Sequence, residues 1–123
     1  MIYSFRIEGK LPSANDYIKL CRGNRYGGNK MVSDTEKYIA LFTKKIPHID
    51  RPVILHFKWY EKNRKRDVDN VAFAKKFIID TLVKTKKLND DSSKYVIGFT
   101  DRFFYNGTSH VDVDIEEIFQ MKK

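Results

Sequence analysis

Pro52-Val53-Ile54-Leu55-His56-Phe57-Lys58-Trp59-Tyr60 is the stretch that decides how the chain folds. Val53, Leu55, Phe57 and Trp59 fall on one side of an extended segment, and Ile54, His56, Lys58 and Tyr60 on the other. That period of two marks a strand with one buried face. The chain then runs into Arg64-Lys65-Arg66-Asp67-Val68-Asp69-Asn70. From residue 69 to about 86 the period lengthens: Val71, Ala74, Ile78 and Leu82 form one line, widened by Phe77 and Ile79, which predicts the main helix. Upstream, Ser33 and Glu36 have capping-box spacing, Tyr38, Leu41, Phe42 and Ile46 make a helical stripe, and Pro47 ends it. Nearer the start, Tyr3, Phe5 and Ile7 alternate with Ser4, Arg6 and Glu8 as an opening strand. Leu11 to Tyr17 reads as a turn leading into a short irregular or helical piece. Downstream, Tyr95, Ile97, Phe99 and Phe103 alternate with Lys94, Gly98, Thr100 and Arg102. Asn106-Gly107 makes a turn, and Val111, Val113 and Ile115 stand against Asp112, Asp114 and Glu116 in a last strand. The order β, α, β, α, β, β predicts one α+β domain over residues 1–123. Its sheet would be small and mainly antiparallel, of about four strands, with two main helices covering one face.

The 123 residues suffice for one core, and their 41% apolar and 14% aromatic content belongs to a globular chain rather than a disordered one. The net charge is +8, and it is uneven. Residues 1–88 hold 20 Lys and Arg against 9 Asp and Glu, whereas residues 89–123 hold 4 against 7. A basic body with acidic islands points to a polyanionic partner, most often nucleic acid. Cys21 is the sole cysteine, which excludes an intrachain disulfide and suits a reducing compartment. Neither a secretory h-region nor an apolar run of the about 20 residues of a membrane span is present. The expectation is a soluble cytoplasmic protein with no membrane partner.

The chemistry concentrates in two acidic sites flanking the main helix. Asp67 and Asp69 stand at i and i+2 after a basic run, a spacing that lets both carboxylates converge if the segment is extended. Asn89-Asp90-Asp91 follows the helix. Magnesium is held by one or two carboxylates together with water and substrate phosphate, so these acids beside cations suit metal-dependent phosphodiester chemistry. The structural alternative makes Asp69 or Asn70 an N-cap, Asp67 a partner of the helix dipole, and Asp90-Asp91 a polar turn. Lys76 either pairs with Asp80 at i,i+4 or points its ammonium at a phosphate, and Lys75 competes for that second role. Arg22-Gly-Asn-Arg-Tyr-Gly-Gly-Asn-Lys30 reads as a basic, glycine-rich loop without the GK[ST] ending of a nucleotide-binding P-loop. Its Arg22, Arg25 and Lys30 would contact phosphate, as would Arg64, Lys65, Arg66 and Lys75. Asp112 and Asp114 read as the wet side of a strand, and His56 as structural.

Taken together, Leu11-Pro12-Ser13-Ala14-Asn15, Arg66-Asp67-Val68-Asp69-Asn70, Lys76-Phe-Ile-Ile-Asp80-Thr-Leu82 and Leu88-Asn89-Asp90-Asp91 followed by Lys94-Tyr95 resemble the RusA family of Holliday-junction resolvases, the crossover junction endodeoxyribonucleases of phages and prophages. The resemblance implies a mixed α/β homodimer with two active sites that resolves four-way DNA junctions in recombination and repair, using Mg²⁺, with Mn²⁺ as a substitute. It places the metal-binding aspartates at Asp67, Asp69 and Asp91, with Asp90 beside them, and the essential lysine at Lys76. Asp80 matches a position often acidic in that family. The segment before the lysine is longer here than in some members, which keeps Lys75 open as its alternative. The resemblance also implies action on DNA in a bacterial cell, from a phage or prophage gene. Two other readings compete: a basic DNA-binding module that does not cut, and a nuclease for flap or other branched DNA.

Overall fold

A computed structural model describes residues 1–23 and 25–119, with Arg25 described by its backbone alone. The order is β1 (Ile2–Glu8), α1 (Ala14–Gly23), α2 (Arg25–Ala40), β2 (Val53–Glu61), α3 (Val68–Ala72), α4 (Lys75–Lys84), β3 (Val96–Tyr105) and β4 (His110–Glu117). The four strands come in the expected order along the chain; α1 and the start of α2 fall where a turn and a loop were expected, and the main helix is divided into α3 and α4. The four strands form one mixed sheet in the order β1-β4-β2-β3. β4 runs antiparallel to both β1 and β2, while β3 runs parallel to β2. The parallel pair is joined by α3 and α4, because two parallel strands need a crossover long enough to return the chain to its starting edge.

The inward side carries the apolar period. Val53, Leu55, Phe57 and Trp59 of β2, Val111, Val113 and Ile115 of β4, and Ile7 of β1 are buried against Ile39 of α2 and Phe77, Ile78, Ile79 and Leu82 of α4. Among the described residues no helix covers the opposite side, which carries a polar network. Arg6 pairs in fork geometry with Asp112 at 2.7 and 3.1 Å, Ser4 donates to Asp114 at 2.6 Å, and His56 lies between Thr100 (2.7 Å) and Glu116 (2.9 Å). The acids of β4 therefore have structural partners across the sheet, as the wet-side reading expected.

Several sequence expectations need correction. The basic, glycine-rich segment from Arg22 to Lys30 is no loop: Arg22 and Gly23 end α1, and Arg25 to Lys30 begin α2. Asn24 lies outside the described residues. The reason for a glycine is visible at Gly28, where a Cβ would fall 2.5 Å from the Cys21 sulfur. Ser33 does not cap a helix, since it sits inside α2. The reciprocal cap is upstream, where the Ser13 N–H donates to Asp16 Oδ2 (3.0 Å) and the Asp16 N–H to Ser13 Oγ (3.2 Å). The helix also stops at Ala40, well before Pro47. Its last turn tightens through N–H bonds from Leu41, Phe42 and Thr43 to carbonyls three residues back. The main helix is interrupted at Phe73 and Ala74, where Ala74 and Lys76 likewise donate three residues back. Finally, Asn106-Gly107 turns the chain, with Gly107 at φ +86°, but it joins no hairpin. β3 and β4 lie on opposite sides of β2. As an edge strand, β3 leaves Ile97 and Phe99 exposed.

Candidate functional site

The main candidate is an open cleft of about 360 Å³ against α4, lined by Lys75, Lys76, Asp80 and Asp91 over the aromatic rings of Phe73 and Phe99. α4 supplies both lysines and Asp80, of which Lys76 and Asp80, one turn apart, share a helix face. Asp91 reaches the cleft from the segment after α4. The chain returns there through a bridge between Ile49 and Leu88 and through the Ile49 N–H, which donates to the Lys87 carbonyl at 2.8 Å. At this corner Asn89 donates to Asp50 at 3.0 Å. His48 spans the Lys86 carbonyl (2.6 Å) and Asp50 (3.3 Å), and those acceptors raise its pKa.

The two lysines are held differently. Lys75 Nζ lies 2.6 Å from Asp101 Oδ2 and 4.7 Å from the Phe99 ring centre, and its side chain is only 20% exposed. Asp101 also accepts the Trp59 indole N–H at 2.8 Å. Lys76 is 69% exposed, with Asp80 3.4 Å away at i,i+4. Of the two ammonium groups, that of Lys76 is available to a ligand in the cleft.

The two acidic pairs also differ. The Asp91 N–H donates to Asp90 Oδ1 at 2.8 Å, so Asp90 shapes the turn while Asp91 faces the cleft. Asp67 is the residue that caps α3 by position, yet its side chain makes no cap bond. Asp69 Oδ1 accepts the neighbouring Asn70 N–H at 3.0 Å. Neither Asp67 nor Asp69 lines the cleft, and among the described residues no three His, Cys, Asp or Glu side chains gather as a metal-binding group. Asp91 lines this cleft, and Asp67 and Asp69 stand outside its lining. The short helix α3 and the turn at Phe73–Ala74 separate the first pair from α4. What fits a hard divalent ion is a partial set, Asp80 and Asp91 with Lys76 beside them, which phosphate and water would complete.

The predicted phosphate contacts divide likewise. Arg66 turns inward: its guanidinium grips Glu61 through two bonds, 2.9 and 2.8 Å, and donates to the Leu11 carbonyl at 3.1 Å. Arg66 and Glu61 side chains are 16% and 10% exposed. Arg66 thus ties β2 to the chain leading into α1 and sets the start of the acidic segment. The Ser13 N–H holds the Asp16 carboxyl below its usual range, with Arg66 acting in the same direction. Lys30 pairs with Asp34 at 2.8 Å on the surface of α2, and Arg64 lies over Tyr105, 4.1 Å from the ring centre. Arg22 and Lys65 are exposed, and the Arg25 side chain lies outside the described residues. Sequence reasoning missed Glu61 and Asp101, the acids that draw Arg66 and Lys75 inward. Their signal was position: both continue the inward period, Glu61 after Trp59 and Asp101 between Phe99 and Phe103.

In comparisons with known proteins, no family model and no curated protein matches the chain. No helix among the described residues is long and apolar enough to cross a membrane.

Proposed function

We propose that the chain is an Mg²⁺-dependent endodeoxyribonuclease that resolves four-way DNA junctions as a homodimer, acting in the cytoplasm of a bacterial cell from a phage or prophage gene. The observation that carries this reading is the cleft in which an exposed lysine, Lys76, stands with Asp80 and Asp91. A cation next to two carboxylates suits a phosphodiester and a hard metal ion at one place. The motif resemblance supplies the junction and the dimer. Bound Mg²⁺, with Mn²⁺ as a substitute, would activate water and neutralise phosphate charge. Asp91 and Asp80 offer it oxygen ligands. Lys76 stabilises charge growing on the phosphate, and Lys75 holds α4 to β3 through Asp101. Asp67 and Asp69 belong to the same site only if they close on the cleft when DNA and metal are bound. Arg22, Arg25, Lys30, Arg64 and Lys65 are assigned to the DNA backbone. Two copies related by a two-fold axis would address two strands of one junction.

The test is cleavage of a four-way junction, a linear duplex and a flap, with and without Mg²⁺, alongside light scattering. Paired cuts in the junction alone, by a particle of twice the 14.6 kDa chain mass, support the proposal. Cutting of flaps in preference makes the chain a different branch nuclease. Tight binding of DNA with no cutting under any metal makes it a binding module.

A further inference from the structure

The uncovered side of the sheet carries an aromatic row that the cleft does not use. His110, Tyr60 and Phe104 lie in register across β4, β2 and β3. Their rings stack in that order, with centroids 4.2 and 4.8 Å apart and planes within 21° and 17° of parallel. The next row along the strands is Asp112, Lys58 and Arg102. Arg102 lies over the Phe104 ring at 5.1 Å, and both cations are exposed. The charge is graded across this face: Glu8 of β1 and Asp112, Asp114 and Glu116 of β4 make that half acidic, with Asp112 held by Arg6, whereas on the β3 side Lys58 and Arg102 form no ion pair among the described residues, Lys58 standing beside Asp112 in register. β3 is an edge strand, so no further strand lies past Phe104, and the exposed Arg102 guanidinium is the group that lies over its ring.

We propose that Phe104, backed by Tyr60 and His110, is a stacking platform for an unpaired nucleobase of a DNA strand whose phosphates lie along Lys58 and Arg102. Every base has a π face, and aromatic platforms flanked by cations bind single strands in a sequence-tolerant way. The graded charge selects this occupant, since a polyanion is drawn to the β3 half and repelled by Glu8. The inference rests on reading the chain as DNA-binding, and a branch point is where bases come unstacked.

The experiment uses the whole protein in EDTA, with short oligothymidylate and with a junction carrying 2-aminopurine at the branch point. Anisotropy should show oligothymidylate binding that weakens roughly tenfold in Phe104→Leu, which keeps apolar bulk but loses the π face. Wild-type protein should change 2-aminopurine fluorescence through stacking, and Phe104→Leu should not. Arg102→Gln should weaken binding and flatten its salt dependence while keeping the fluorescence change. A Phe104→Leu protein that matches wild type in both readouts overturns the proposal. So does a Phe104→Arg substitution that converts a dimer to a monomer, because the face would then be covered by a second copy. Loss of cutting activity has no bearing on either readout in EDTA. Junction cutting in Mg²⁺ without the fluorescence change would leave the nuclease reading intact and remove this one.

Discussion

The acids at the start of α3 and those around α4 carry similar side chains in very different surroundings. Asp67 and Asp69 stand exposed before and within a five-residue helix, and among the described residues the Asn70 N–H, given to Asp69, is the one hydrogen bond to their carboxylates. Asp80 and Asp91 line a cleft with two lysines, over aromatic rings. Asp91 is as exposed as Asp67 and Asp69, so what distinguishes it is the company of Lys75, Lys76 and Asp80, since neighbouring charges of opposite sign strengthen the field that an entering ion meets. The difference teaches that a shared residue type does not give a shared setting: Asp80 and Asp91 line a cleft beside Lys75 and Lys76, and Asp67 and Asp69 do not.

The sharpest way to break that contrast is to neutralise each acid in turn. Asp91→Asn should lower Mg²⁺-dependent junction cutting by roughly 10²- to 10³-fold in single-turnover assays. If Asp67 and Asp69 close on the cleft when DNA binds, Asp67→Asn and Asp69→Asn should fall equally far. Normal cutting by those two, with Asp91→Asn inactive, would confine the site to the cleft. Asp112→Asn and Asp114→Asn, on the far side of the sheet, should cut normally.

The lysines sharpen the contrast within the cleft itself. Lys76→Ala should reduce turnover by about 10²-fold at unchanged junction affinity and leave the melting temperature nearly unaltered. Lys75→Ala should instead lower the melting temperature, because it strands Asp101 beside the Trp59 indole. If turnover responded to Lys75 and stability to Lys76, the assignment of roles along α4 would be reversed.

A third comparison sets Arg66 against its neighbour Arg64. Arg66→Ala leaves the buried Glu61 carboxylate without its fork partner, and chemical denaturation should show a loss of about 2–3 kcal/mol. Arg64→Ala should leave stability almost unchanged and lower the salt dependence of DNA binding. Equal stability losses would mean that Arg66 is not anchored by Glu61 in solution.

The smallest effect belongs to the α1 cap. Asp16→Ala should cost about 1 kcal/mol at neutral pH. Folding holds the Asp16 pKa below its ordinary 3.8, so its contribution is present above that value and fades as pH falls through the folded pKa. Wild type and Asp16→Ala should therefore converge in stability in acid. A gap that stayed constant down to that range would rule out the ionised carboxylate as the cap.

Periodicity made much of this legible. Alternation in residues 3–7, 53–60 and 111–115 named the inward side of three strands, and the line from Val71 to Leu82 named the buried face of the main helical stretch. Interruptions were not legible, because Phe73 and Ala74 keep right-handed helical dihedrals and only their hydrogen bonds shorten. The Arg22–Lys30 stretch misled because glycine signals freedom in a loop and close packing in a helix pair with the same letter. At the site, Lys76 and Asp91 could be singled out from motif order. The inward turn of Arg66 and Lys75 depended on acids at apolar positions of β2 and β3, on strands whose adjacency no local pattern encodes.

That adjacency governs how the protein reaches its native state. An Asn-Gly turn would ordinarily let its flanking strands zip together within microseconds, yet here such zipping would pair β3 with β4 and shut out β2. The native order requires β2, made long before either, to lie between them. Assembly is therefore governed by contacts distant along the chain, which places it among the slower-folding topologies for its size.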